Sequence, residues 1–184
     1  MKNHFYLCLM AIAVSCSMVF TSCSDDDDDN GGGSTTSIKV GDQTANFGYV
    51  YWNIDDNDGS GSKKYYQIEF YDFNFYAGKY NKKFSAFVLC FLAEGTDNAL
   101  PTGTFNNYDL SGALNASTAD PEGTYIERDE RKSGKLVISK EGNSYTITIE
   151  PLYIISGEEG STTTTLTSLK YTGSIPKAPR KAWE

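Results

Sequence analysis

Two stretches decide the fold: Tyr49-Val50-Tyr51-Trp52-Asn53-Ile54 and Tyr65-Tyr66-Gln67-Ile68-Glu69-Phe70-Tyr71. In the first, Val50, Trp52 and Ile54 alternate with Tyr49, Tyr51 and Asn53; in the second, Tyr66, Ile68 and Phe70 alternate with Tyr65, Gln67, Glu69 and Tyr71. A period of two sends successive side chains to opposite faces, so each stretch reads as a strand with one apolar and one polar-aromatic face. Between them, Asp55-Asp56-Asn57-Asp58-Gly59-Ser60-Gly61-Ser62 has turn chemistry, which makes the pair a hairpin. With the apolar sets on one face, Trp52 is expected opposite Tyr66 and Val50 opposite Ile68, with Gly48 making room for Phe70.

Strand periodicity extends downstream, and no stretch has the period of an amphipathic helix. Phe73 and Phe75 fall on the opposite parity to Phe70, so a bulge or strand end is expected near Tyr71 and Asp72. Residues 84–93 are apolar on both parities, as suits a central strand covered on two sides, with Cys90 as a small inert hydrophobe. Leu100-Pro101-Thr102-Gly103 turns into a short strand at 104–108, and the polar run 109–131 reads mostly as loop. A second hairpin joins residues 134–139 and 144–150 across Lys140-Glu141-Gly142-Asn143, with Leu136 and Ile138 on the layer of Tyr145, Ile147 and Ile149. Pro151 marks an edge or kink, residues 152–155 continue, and 163–175 return after Gly157-Glu158-Glu159-Gly160.

These elements make residues 38–176 one all-β domain of about eight strands. Two architectures satisfy them: an antiparallel β-sandwich, which we prefer, or an up-and-down barrel resembling the calycins. Residues 177–184, basic and carrying Trp183, are expected to form a tail.

Upstream the chain reads as an address. Lys2 precedes an apolar run over residues 5–20 that is short for a membrane span, the pattern of a secretion signal occupying residues 1–22. Phe20-Thr21-Ser22-Cys23 matches a bacterial lipobox, in which a cysteine receives diacylglycerol and becomes the first mature residue. Each buried methylene contributes about 0.8 kcal/mol and two acyl chains suffice for stable anchoring, so a lipidated Cys23 makes the membrane the first expected partner. Ser24-Asp25-Asp26-Asp27-Asp28-Asp29, directly after it, resembles the lipoprotein export signal of the Bacteroidota. That resemblance covers residues 1–30 and implies a lipid-anchored protein of the outer membrane facing the cell exterior. Residues 23–37, ending in Gly31-Gly32-Gly33-Ser34-Thr35-Thr36-Ser37, are expected to be a disordered acidic tether with a root-mean-square reach of about 20 Å.

Charge narrows the partners. The chain carries a net charge of −8; loss of Lys2 with the leader makes that −9, and the five tether aspartates leave −4 on the remainder. A mildly acidic domain is not built for nucleic acid, which needs a basic face. Cys8 and Cys16 leave with the leader, so Cys90 has no intramolecular partner within the domain.

The chemistry is limited first by an absence. The sole histidine, His4, lies in the leader, which leaves the mature chain without a Ser-His-Asp triad, a Cys-His pair or an imidazole metal site. No cofactor motif is present, and no cofactor is expected. Paired carboxylates of the glycosidase kind need no histidine, and Glu127, Asp129, Glu130, Glu158 and Glu159 are the candidates, although charged turns usually make plain surface. Asp55, Asp56 and Asp58 sit in a glycine-bearing loop of the sort that offers oxygens to calcium. An EF-hand register begun at Asp56 places Gln67 where a bidentate glutamate belongs, so a solvated hairpin loop is the better reading.

Aromatic density is the remaining signal, with eleven aromatics between Tyr49 and Tyr80. The hairpin puts Tyr49, Tyr51, Asn53, Tyr65, Gln67, Glu69 and Tyr71 on the face away from the core, where rings, amides and a carboxylate suit sugar binding. The competing reading is that strands favour aromatics and that another layer covers them. Three classes of function therefore stand: a non-catalytic binding module for glycans, a structural or host-interaction surface protein, and a carboxylate-based enzyme. The first is preferred.

Overall fold

A computed structural model of the protein describes residues 36–55, 63–77, 83–117, 123–157 and 162–179. These form eleven strands: β1 (Thr36–Val40), β2 (Gln43–Phe47), β3 (Tyr49–Asp55), β4 (Lys63–Tyr71), β5 (Lys83–Glu94), β6 (Gly103–Phe105), β7 (Tyr108–Ser117), β8 (Thr124–Arg128), β9 (Leu136–Glu141), β10 (Ser144–Ser156) and β11 (Thr163–Gly173). A 3-10 turn at Phe75–Ala77 follows β4.

Every ladder is antiparallel, as the short connections require. Nine strands make one sheet, ordered β3-β4-β5-β7-β8-β10-β9-β6, with β11 along the other edge of β10. β10 is long enough to serve two neighbours on one side, β9 through Ser144 to Ile149 and β8 through Ile154 to Ser156. β1 and β2 form a separate hairpin whose turn is made at Gly41, at φ 59°.

The sheet folds over, because its apolar inner side can leave water only by meeting itself. Phe70 on β4 meets Tyr171 on β11 edge-to-face at 5.9 Å, although four strands lie between them along the ladder. Val50, Trp52, Ile68, Leu89, Leu110, Ile126, Ile147 and Ile154 share this core. The β1–β2 hairpin adds Ile38, Val40, Ala45 and Phe47, with the Phe47 ring edge-on to Phe87 at 4.8 Å.

The architecture is a sandwich-like β domain and not a closed barrel. Along the free edge of β3, the chain beyond β11 supplies a parallel bridge in which Trp52 N–H donates to Pro176 at 3.0 Å and Ala178 N–H donates to Trp52 at 2.7 Å. Pro176 and Pro179 have no N–H to extend the bridge into a ladder. Lys177, the first residue assigned to a tail, is thus docked, with its ammonium 5.3 Å from the Trp52 ring.

Several expectations need correction. The β3–β4 hairpin keeps its faces but slips two residues: Trp52 pairs with Ile68 and Val50 with Phe70, so Gly48 does not face Phe70. β5 is internal but alternates, burying Phe87, Leu89, Phe91 and Ala93 while Leu92 is exposed and Cys90 half-buried. Residues 109–131 are largely strand, contributing most of β7 and all of β8. Residues 45–54 are divided at Gly48 between β2 and β3, and Thr36 and Ser37, read as the end of the tether, begin β1. The β9–β10 hairpin matches its expected faces, pairing Ile138 with Ile147 and Leu136 with Ile149 around a tight turn at Gly142.

Candidate functional site

All seven residues read as a platform lie on the outer face of β3 and β4. The ladder sets them in rows: Tyr49 beside Tyr71, Tyr51 beside Glu69, Asn53 beside Gln67, and Asp55 beside Tyr65. Across β5 and β7, the Gln67 row continues to Cys90 and Asp109, and the Glu69 row to Val88 and Ser111. The face is divided into a covered and an open half.

The parity slip after Phe70 is what covers the first half. β4 ends at Tyr71, and the chain turns back over the outer face, where Phe73, Phe75 and Phe84 form a second apolar cluster with Tyr71, Ala113 and Ala116. The Tyr71 and Phe75 rings stack at 4.8 Å with an interplanar angle of 6°, and Tyr51 meets Tyr76 edge-on at 4.7 Å. Glu69 lies beneath this layer at 6 % exposure, its Oε2 accepting hydrogen bonds from Tyr76 at 2.7 Å and Tyr71 at 3.1 Å. Two phenolic donors satisfy a carboxylate that burial alone would penalise. Asn74 ties down the same segment, accepting from Ala77 N–H at 3.2 Å and from the Tyr51 hydroxyl at 3.4 Å. Glu69 and Tyr71 are therefore elements of packing and not surface ligands.

At the margin of this layer, Asp72 Oδ2 accepts the Ser85 N–H at 2.7 Å while its buried Oδ1 has no partner among the described residues. Burial pushes the Asp72 carboxyl above its ordinary range, against the lowering effect of the Ser85 hydrogen bonds.

The second half stays open. Asn53, Tyr65 and Gln67 are half-buried, and the Tyr65 hydroxyl lies 3.5 Å from Asp109 Oδ2. Asn53 Oδ1 accepts the Ile54 N–H at 2.8 Å. An aromatic face, two amides and a carboxylate on a rigid sheet can stack against a sugar ring and hydrogen-bond its hydroxyls.

Of the five carboxylate candidates, Glu127, Asp129 and Glu130 are described. Glu127 is engaged by the Tyr125 hydroxyl at 3.2 Å. Asp129 accepts Arg131 N–H at 3.1 Å and pairs with Lys132 at 3.4 Å, so it serves its own turn, and Glu130 is exposed. Among the described residues no group of three or more acidic, histidine or cysteine side chains could hold a metal ion. Asp55 ends β3, while Cys23, Asp56, Asp58, Glu158 and Glu159 lie outside the described residues.

One residue on the inner side has no counterpart in the sequence reading. Arg128, at the end of β8, shares the inward parity of Ile126, and its guanidinium carbon sits 3.8 Å from the centroid of the Tyr108 ring. The Tyr108 hydroxyl donates to Gly134 at 2.9 Å, and burial pushes its phenol above the ordinary range, against the lowering influence of the Arg128 charge and hydrogen bond. Period-two alternation at Ile126 and Arg128 was the only available signal, and it gives an arginine no preference for the inside.

The chain matches no protein-family model, and no curated protein or solved structure was found to match it.

Proposed function

We propose that the chain is a surface-exposed outer-membrane lipoprotein, held by acyl chains on Cys23, whose β domain is a non-catalytic binding module for glycans. The observation that carries the binding reading is the open half of the outer face, where Tyr65, Asn53 and Gln67 stand half-exposed in adjacent rows of a rigid ladder beside Asp109. The lipobox, the aspartate run and their resemblance to the Bacteroidota export signal support the anchoring and the address. A binding role is favoured over hydrolysis because Glu127 and Asp129 are engaged by Tyr125 and Lys132.

A glycan array probed with the purified full chain tests this reading. Binding is expected to at least one glycan class, weakened about tenfold or more by Tyr65→Ala or Gln67→Ala and untouched by Thr146→Ala on a distant strand. Absence of binding to every glycan, or binding indifferent to both platform substitutions, would overturn it. Protease added to intact cells is expected to release the domain, and complete protection would sink the surface address.

A further inference from the structure

We infer that Arg128 forms an oxyanion site on the inner side of the sheet that takes the carboxylate of a small organic acid. The starting observation is a buried guanidinium that faces Tyr108 and carries an orphan Nε–H donor and no ion pair among the described residues. Arg128 is 8 % exposed, and its Nε has no hydrogen-bond partner among the described residues. The ion pairs among those residues are Lys64–Asp97 and Lys132–Asp129, neither of which involves it.

Strand alternation keeps the acidic neighbours of Arg128 in sequence on the other face. Glu127 and Asp129, its neighbours in sequence, have the opposite parity and are held by Tyr125 and Lys132. Its own surroundings are apolar: Ile126 two residues back on the same face, and Ile154 directly across on β10, both fully buried. The Tyr108 ring supplies one stacking surface, and a cation over an aromatic face recovers only part of what a guanidinium loses on leaving water. A ligand oxyanion recovers the rest, because the planar fork of N–H donors matches two oxygens at once.

The same surroundings select the ligand. Arg128 brings one positive charge, and the lysines of the adjoining connection, Lys132 and Lys135, are exposed. A monoanionic carboxylate is neutralised by that single charge, whereas a phosphate dianion would bring an unmatched charge into an apolar setting. Tyr108 reaches Gly134 through its hydroxyl, which places the stacked pair beside the 129–135 connection at one end of the sheet. This site lies on the opposite side of the sheet from the aromatic platform and does not depend on it.

The test is a titration of the purified full chain labelled with nitrogen-15 in its arginines, Arg128, Arg131 and Arg180. Acetate is the probe, with inorganic phosphate and chloride as comparison arms at constant ionic strength. A saturable shift of one arginine Nε–H resonance is expected with acetate, absent in Arg128→Met, together with a rise in melting temperature that the variant loses. Without acetate, Arg128→Met is expected to melt no lower than the parent, since it removes an uncompensated charge. No saturable response to acetate in the parent protein overturns the site. Saturation by phosphate and not by acetate overturns the carboxylate assignment. If Arg128→Met does not fold, Arg128 is a structural residue unless the parent still saturates with acetate, so the parent titration decides.

Discussion

Glu69 shows how a single side chain sets the character of the outer face. Its Oε2 accepts the hydroxyls of Tyr71 and Tyr76, and so it fastens the 3-10 turn over the sheet. Glu69→Ala leaves two phenols without their acceptor and opens a void, with an expected loss of about 2 to 4 kcal/mol in urea unfolding. Glu69→Gln keeps one acceptor oxygen and is expected to cost about half as much; equal losses would mean that the hydroxyl pair is not what Glu69 holds. Tyr171 offers a pH test. Burial pushes its phenol up to about 12 from an ordinary 10, so the folded state favours the neutral form. Its contribution is complete below pH 10 and is lost as pH rises through 12. Between these limits the melting temperature of Tyr171→Phe is expected to fall less steeply than that of the parent, and parallel curves would contradict the assignment. Glu69 could be read from the sequence as outward-facing, yet not as buried, because Tyr76 reaches it through a turn whose direction has no local signature.

At the scale of the element, β7 explains why a strand went unread. Its outer positions hold Ala113 and Ser111, and its inner row includes Gly112, so the segment lacks the bulky alternation that marks a strand. The small residues are demanded by packing. A Cβ at Gly112 would stand 2.3 Å from the Ala86 carbonyl oxygen and 2.5 Å from the Phe87 Cβ. Gly112→Ala must therefore push β7 from β5, with an expected cost of about 2 kcal/mol or more. Amide exchange should show the loss of protection concentrated along β5 and β7, and uniform loss would argue against a local clash. The β3–β4 register was missed by two residues for a different reason. A slip of two preserves both faces, so periodicity reports the face while the connection and the packing of Phe70 report the register.

For the molecule as a whole, the decisive event is the meeting of sheet halves distant in sequence, with Phe70 against Tyr171 and residues 176–178 against β3. Deleting residues 176–184 removes both hydrogen bonds from the β3 edge and leaves that edge open to pairing with another chain. Lower thermal stability and concentration-dependent association are expected by light scattering, with a red-shifted emission from Trp52, the tryptophan that remains. A monomeric, equally stable truncation would show that the bridge is incidental. The sequence by itself determined that the fold is all-β, which side chains share a face, and where the β9–β10 hairpin turns. These follow from backbone geometry repeating every two residues, a constraint that is complete within a short window. Only the tertiary structure decided that the sheet folds over without closing, that Glu69 is buried while Tyr65 and Gln67 are half-exposed, and that Arg128 is buried with no ion pair among the described residues. Each of those depends on which surfaces meet across long stretches of chain, and burial there is a property of the partner surface and not of the residue.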